Sequence, residues 1–147
     1  DFTQYDVIFL AGGWGAAYDL GYSPVLGEKI SEAYYAEGSP VIGGVCHGVL
    51  GFINAKDDAG NRLISGRRMT GVTDKQIKEL GIAITPQHPE TELRKAGVVF
   101  ESNTAFWDLF ATRVVVDDEQ RFVTGQNQNS GLEAANVVLK IVSENSR

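Results

Sequence analysis

The sequence predicts a single α/β domain organised around a mostly parallel sheet, and three observations carry that expectation. Apolar runs of strand length alternate with segments of helical periodicity, with no internal repeat or low-complexity stretch. The first two runs, 6–11 and 40–45, are continuously apolar or glycine rather than alternating, as in strands covered on both faces. A length of 147 residues with a hydrophobic fraction of 43% suffices for one buried core.

Composition excludes several function classes. Thirteen Lys and Arg oppose 19 Asp and Glu, for a formal net charge of −6, and no basic run exceeds Arg67-Arg68. A surface that gains affinity by neutralising phosphates is therefore not expected, so neither nucleic acid nor an anionic membrane is an expected partner. Cys46 is the one cysteine, which excludes an intrachain disulfide, and two histidines, His47 and His88, give no zinc-ligand spacing. A reducing compartment, the cytoplasm, is the expected location. No apolar run approaches the roughly 20 residues of a membrane-spanning helix, and the N-terminus lacks the layout of a signal peptide. The chain opens at Asp1 and its only methionine is Met69. An upstream segment of the gene product is therefore expected, cleaved, disordered or present as a separate chain, and a sheet strand so near a terminus points the same way.

Each element has a local reason. After the strand 6–11 comes the glycine turn Gly12-Gly13-Trp14-Gly15. Ser23-Pro24 then supplies an N-cap and a proline at the first helical position. Leu26, Ile30, Ala33 and Tyr34 fall on one stripe, and Gly38 closes that helix. The second strand, 40–45, ends on Cys46. A short helix is expected from His47 to Ala55 with Leu50 and Ile53 facing inward, then a loop at 57–61 and a short strand at 68–70. Thr73 through Gln76 has capping-box spacing, and Gly81 ends the helix it starts. A helix from Pro89 to Ala96 stops at Gly97 and is followed by a strand at 98–101. The runs 113–117 and 121–124 flank the polar turn Asp118-Glu119-Gln120, a hairpin signal. The last helix is expected from Ser130, boxed with Glu133, burying Ala134, Ala135, Val138, Ile141 and Val142.

The chemistry concentrates at Gly44-Val45-Cys46-His47-Gly48, a G-x-C-x-G nucleophile elbow. The flanking glycines remove β-carbons that would collide with neighbouring backbone, so the thiol projects from a sharp strand-to-helix turn. At a helix N-terminus the thiolate is favoured over the thiol, and a lowered pKa is expected for Cys46. The competing reading is a small buried core residue at a strand end. Two neighbours favour catalysis: His47 follows at once, and the end of the first strand at Gly12-Gly13 should lie beside the elbow in a parallel sheet. A glycine N–H there and that of the residue after the nucleophile would form an oxyanion hole. The spacing of Gly12-Gly13-Trp14-Gly15 is not that of a dinucleotide fingerprint, and no nucleotide site is expected.

Four blocks in this order, 8–15, Val45-Cys46-His47-Gly48, 66–71 and Val123-Thr124-Gly125-Gln126-Asn127, resemble the ThiJ/PfpI superfamily, the class I glutamine amidotransferase-like fold. The resemblance runs from about Tyr5 to Val142 and corresponds to the C-terminal two-thirds of such a protein. The Cys-His-Gly elbow and the Thr-Gly-Gln-Asn block look most like its glutathione-independent glyoxalase and heat-inducible chaperone branch. The resemblance implies one domain over 1–147 lacking its N-terminal portion, folded as a three-layer flavodoxin-like sandwich. It also implies Cys46 as nucleophile, His47 as acid/base and the N–H groups of Gly13 and His47 as oxyanion hole, with a pocket lined by Gly12, Trp14, Trp107 and Asn127. The implied substrate is a small 2-oxoaldehyde such as methylglyoxal, converted to a hydroxy acid without metal or cofactor, and the implied assembly is a homodimer.

The sequence departs from that pattern in three places. The branch's thiol-bonding glutamate belongs to an upstream strand–helix unit absent from this chain. The branch's histidine-orienting carboxylate aligns with Ile77, which leaves Asp74 as the nearest acidic candidate for a catalytic role and Glu79 behind it; a helix-dipole role explains Asp74 equally. Trp14 stands where relatives often carry histidine and either narrows the pocket or packs over the sheet end. His88 reads first as a solvated surface residue, Phe106 and Trp107 as pocket mouth or loop anchors, and Gln126 through Asn129 as amide donors or a helix cap. Three functions follow: a cysteine enzyme acting on small carbonyl compounds, an amide or nitrile hydrolase on the same elbow, and a non-catalytic stress chaperone or cysteine redox sensor.

Overall fold

The computed structural model describes residues 1–145. Four strands form the main sheet in the order β1 (Val7–Leu10), β2 (Val41–Val45), β6 (Phe122–Gly125) and β5 (Val114–Val116). The first two pairings are parallel and β5 joins β6 antiparallel, as the hairpin signal at 118–120 requires. The short strands β3 (Arg68–Met69) and β4 (Val99–Phe100) pair parallel in a separate two-stranded sheet. The helices are α1 (Pro24–Tyr35), α2 (Asp74–Glu79), α3 (Pro89–Lys95) and α4 (Gly131–Asn145).

Alternate strand residues feed two cores, which makes the molecule three-layered. Ile8, Ile42 and Phe122 point to one face and pack with Ile30 and Ala33 of α1 and with Val49 and Phe52. Val41 and Val123 point to the other face, against Ala134, Val138 and Ile141 of α4. The period of two along each strand thus places a helix layer on either side.

Several local expectations need correction. The run 6–11 reads as a strand covered on both faces, but β1 is an edge of the sheet and only Ile8 within it is buried. The helix after Cys46 is a 3₁₀ helix, Cys46–Phe52, buried from His47 onward, so it has no amphipathic stripe. Ser130 does not box Glu133. A 3₁₀ turn at Gln128–Ser130 precedes α4, Asn127 caps that turn by accepting the Asn129 N–H, and the Ser130 hydroxyl accepts the Arg113 N–H at 3.3 Å. Ala135 is exposed, and Val137 is half-buried in its place. Thr73 caps α2 through the Gln76 N–H, whereas the Gln76 side chain turns to Asn127 and Gln128 rather than back to the cap.

Two polar brackets fix the ends of the sheet. At the end away from Cys46, the Arg67 guanidinium donates to Asp117, Glu119 and the Tyr34 hydroxyl and lies over the Tyr34 and Phe122 rings. Asp117 also accepts the N–H groups of Arg121 and Phe122, both at 2.8 Å. At the end carrying Cys46, the buried Asp108 accepts from Lys75 (2.9 Å), Thr73 (2.8 Å), Thr104 (2.8 Å) and the Ala105 N–H (3.1 Å). Burial pushes the Asp108 carboxyl up, but Lys75 and the other donors outweigh it and hold the group at about 2. Because this folded-state value lies below the unfolded one, the bracket stabilises fully above about pH 4 and is lost as pH falls through about 2. Acid unfolding should therefore show a loss of about 2 kcal/mol over that window that is missing in Asp108→Asn, measured by denaturant titration at each pH.

Candidate active site

The site stands on a close approach of two backbones at the C-terminal ends of β1 and β2. A β-carbon on Gly48 would lie 2.2 Å from the Leu10 carbonyl oxygen, and one on Gly12 would lie 2.4 Å from that of Val45. Only glycine fits at either position. Cys46 takes a φ of 59°, the left-handed conformation that a nucleophile elbow forces on its central residue. Gly12 and Gly13 follow β1 with φ of 85° and 98°, which turns the Gly13 N–H back toward the elbow.

The sulfur receives the backbone N–H groups of Gly13 and His47, so the two donors expected from sequence converge on it. His47 Nδ1 lies 3.4 Å from Cys46 Sγ. The His47 ring is buried, and its Nε2 has no hydrogen-bond partner among the described residues. The expectation of a lowered thiol pKa is overturned. Burial pushes the Cys46 thiol up, and the His47 and Gly13 N–H groups offset that only in part. Burial likewise pushes the His47 imidazole down, and the charge of nearby His88 acts in the same direction. The resting pair is thiol and neutral imidazole.

The remaining sequence candidates divide. Asp74 does not reach His47: its Oδ1 lies 3.3 Å from His88 Nδ1, and its Oδ2 accepts from the Thr91 hydroxyl at 2.8 Å. Ile77 is buried and offers no acceptor. Glu79 is occupied elsewhere, accepting the Asp108 N–H at 2.8 Å and pairing with Lys75 at 3.3 Å. Asn127 is fully buried, its carboxamide donating to Gln76, Asp108 and Ala111, so it ties α2 and the segment 108–111 to the turn before α4 rather than forming a pocket wall. Trp14 is half-exposed at the start of the 3₁₀ turn Trp14–Tyr18. Trp107 is also half-exposed, edge-on to Phe106 with centroids 6.2 Å apart. No hydrogen bond ties either tryptophan to the sulfur among the described residues. His88, read from sequence as solvated, has a carboxylate partner and sits beside the elbow. A histidine before the proline that opens a helix is the signal that could have raised it.

A surface groove of about 930 Å³ lies between α1 and the loop at 54–58, bounded by Glu28, Glu32, Asp57 and Asp58, and does not include Cys46. No cluster of three or more metal-ligating side chains occurs among the described residues, and no described helix is long and apolar enough to cross a membrane.

The chain is similar in sequence and fold to several known proteins. The probable glutathione-independent glyoxalase hsp3104 of Schizosaccharomyces pombe is 27% identical over 143 residues, covering 95% of this chain and 62% of that protein. Glyoxalase III of Candida albicans superposes with a TM-score of 0.73 at 29% identity, over 95% of this chain and 58% of that one. A ThiJ/PfpI domain protein of Brachyspira murdochii shares the fold with a TM-score of 0.68 at 17% identity, over 98% of this chain and 64% of that one. The chain is thus similar in sequence to proteins named as glutathione-independent glyoxalases and shares the fold of the ThiJ/PfpI domain protein. Rapid Encystment Protein 24 KDa of Francisella tularensis superposes on this chain with a TM-score of 0.85 at 28% identity, over 97% of this chain and 60% of that one. The chain spans about three-fifths of the length of the curated relatives it matches. No family model matches the sequence.

The raised thiol gives a direct test. The pH dependence of Cys46 alkylation by iodoacetamide should have its midpoint above the ordinary thiol value of about 8.5, and a midpoint below it would contradict this account of the site.

Proposed function

We propose that this chain carries a cofactor-independent cysteine site of the glyoxalase III type, converting a 2-oxoaldehyde such as methylglyoxal to the hydroxy acid. The observation that carries this reading is the placement of the Cys46 sulfur 3.4 Å from His47 Nδ1 and under the N–H groups of Gly13 and His47. The glyoxalase names of relatives with matching chain order support it.

The chemistry follows from the resting charges. Because thiol and imidazole are both neutral, His47 Nδ1 takes the S–H proton as sulfur adds to the aldehyde carbon, and the oxyanion that forms meets the two N–H groups before it is protonated. The product of this step is a hemithioacetal. Loss of its C1 proton and return of a proton to C2 moves the oxidation level from the ketone to the aldehyde carbon, giving a thioester of the 2-hydroxy acid. Water then cleaves the C–S bond and restores the thiol. The sum is aldehyde plus water to hydroxy acid, with no external oxidant. A cytosolic homodimer is part of this reading on the family resemblance alone.

Lactate formation from methylglyoxal should be abolished in Cys46→Ser and reduced about 10²- to 10⁴-fold in His47→Ala. An unaltered rate in His47→Ala would remove that residue from the mechanism. Turnover of an amide or nitrile without aldehyde activity would assign hydrolysis to the same thiol. A gain of two oxygens at Cys46 under mild peroxide, with no turnover, would assign redox sensing instead.

A further inference from the structure

The loop between β4 and β5 is fastened at both ends and in its middle. The Asn103 N–H donates to Gln126 Oε1 at 2.9 Å, and the Gln126 carboxamide returns a bond to the Asn103 carbonyl at 3.0 Å. The Asn103 carboxamide donates to the Thr112 carbonyl at 2.7 Å and closes the loop on itself. Between these points the Asp108 carboxylate gathers Thr73, Lys75, Thr104 and the Ala105 N–H, and its own N–H donates to Glu79 at 2.8 Å. The carbonyls of Asp108 and Ala111 accept from Asn127 at 3.0 and 2.9 Å, and that of Leu109 accepts from Asn129 at 2.7 Å.

This scaffold holds aromatic rings out toward solvent. Phe106 is 91% exposed, more than any other large apolar side chain among the described residues, while Phe110 is 72% and Trp107 45% exposed. The Phe106 and Trp107 rings meet edge-on, and the Phe110 N–H donates to the Trp107 carbonyl at 3.0 Å. Rings on a loose loop lose freedom when they bind, whereas rings fixed in advance lose little. Aromatic anchors of protein interfaces have that property.

A socket stands beside the rings. A shallow groove of about 470 Å³ runs along α4, lined by Asn129, Leu132, Glu133, Asn136, Val137 and Lys140, with Leu132 77% exposed. Asn129 belongs to the groove and bonds the Leu109 carbonyl, so groove and aromatic loop share a rim. The groove carries one acid and one base, and the loop's charges are matched within the chain, Asp108 by Lys75 and Arg113 by Glu101. On a chain of net charge −6, this face has no net charge to select an oppositely charged partner. Its area fits a second copy. At about 150–250 Å² per aromatic side chain, the three rings expose on the order of 300–500 Å². A standard interface of about 800 Å² per partner needs roughly 450–520 Å² of apolar area, and Leu132 adds to what the rings supply.

We propose that this face is the interface of a two-fold dimer, in which Phe106 and Phe110 of each copy seat in the α4 groove of the other. Rings and groove lie side by side on one chain, so a two-fold axis between them satisfies both at once and the contact closes at two copies. This gives a surface to the homodimer of the reading above, but it is argued from the loop and the groove alone. Its test reads mass rather than turnover, so its failure and that of the Cys46 chemistry are separate results.

The test is light scattering and sedimentation equilibrium of the full chain over a concentration series. The wild type should show twice the chain mass in the micromolar range. Phe106→Ser should weaken the dimer by at least about tenfold, and Phe106→Ser/Phe110→Ser and Leu132→Lys should be monomeric. Their thermal unfolding should match that of the monomeric wild type at low concentration, since all three positions are exposed. Val25→Ser, at a position 60% exposed on α1 across the sheet, should leave the mass unchanged. Mixing Phe106→Ser with Leu132→Lys should recover a dimer, because the first keeps an intact groove and the second an intact ring. A wild type that is monomeric at every concentration overturns the proposal. So does an assembly larger than a dimer, a dimer that Phe106→Ser/Phe110→Ser leaves unchanged, or a mixture that stays monomeric.

Discussion

The contact on which the rest depends is backbone against backbone, where the chain leaving β1 touches the chain leaving β2. With 2.2 Å between a Gly48 β-carbon and the Leu10 carbonyl oxygen, and 2.4 Å between one on Gly12 and that of Val45, neither segment could carry a side chain at the crossing. That approach brings the Gly13 N–H to a sulfur displayed by a residue at φ 59°. The parallel pairing of β1 with β2 fixes which ends meet, so sheet topology is a direct cause of the site rather than its background.

Burial sets the electrostatics against the usual expectation for an elbow. Two N–H groups at a turn favour a thiolate, but the same close packing strips water from the sulfur, and desolvation outweighs the donors. The donors at the turn do not replace the solvent that the packing removes. The helix involved is also a seven-residue 3₁₀ segment rather than an α-helix, so fewer aligned peptide dipoles stand behind the sulfur. A neutral thiol beside a neutral imidazole is still competent for addition if the proton moves as the carbon–sulfur bond forms, which makes the basicity of His47 the controlling quantity.

What was legible in the sequence is what short-range chemistry determines. Ser23-Pro24, Thr73, Gly81 and Gly97 mark helix ends because caps and left-handed turns are local, and the structure has helices at those places. The elbow was legible because its glycines answer a steric demand within five residues. Partners distant in sequence were not legible. Asn127 looks like a polar pocket residue until Gln76, Asp108 and Ala111 close around it. Ser130 and Glu133 have box spacing, but the Ser130 hydroxyl is taken by Arg113, 17 residues away. The position of β1 at an edge depends on pairings that no pattern within 6–11 encodes.

The acidic residue at the site shows how a substitution is absorbed by geometry. By the family resemblance an acid serving the histidine would stand at Ile77, and Asp74 stands three residues before it, on the same side of α2 one turn earlier. That offset is too large for Asp74 to reach His47, and the ring it meets is His88. A carboxylate bonded directly to a base raises that base's proton affinity. With Asp74 turned to His88 and Thr91, the His47 ring has no carboxylate against it to raise its proton affinity, and burial is the largest influence holding it down.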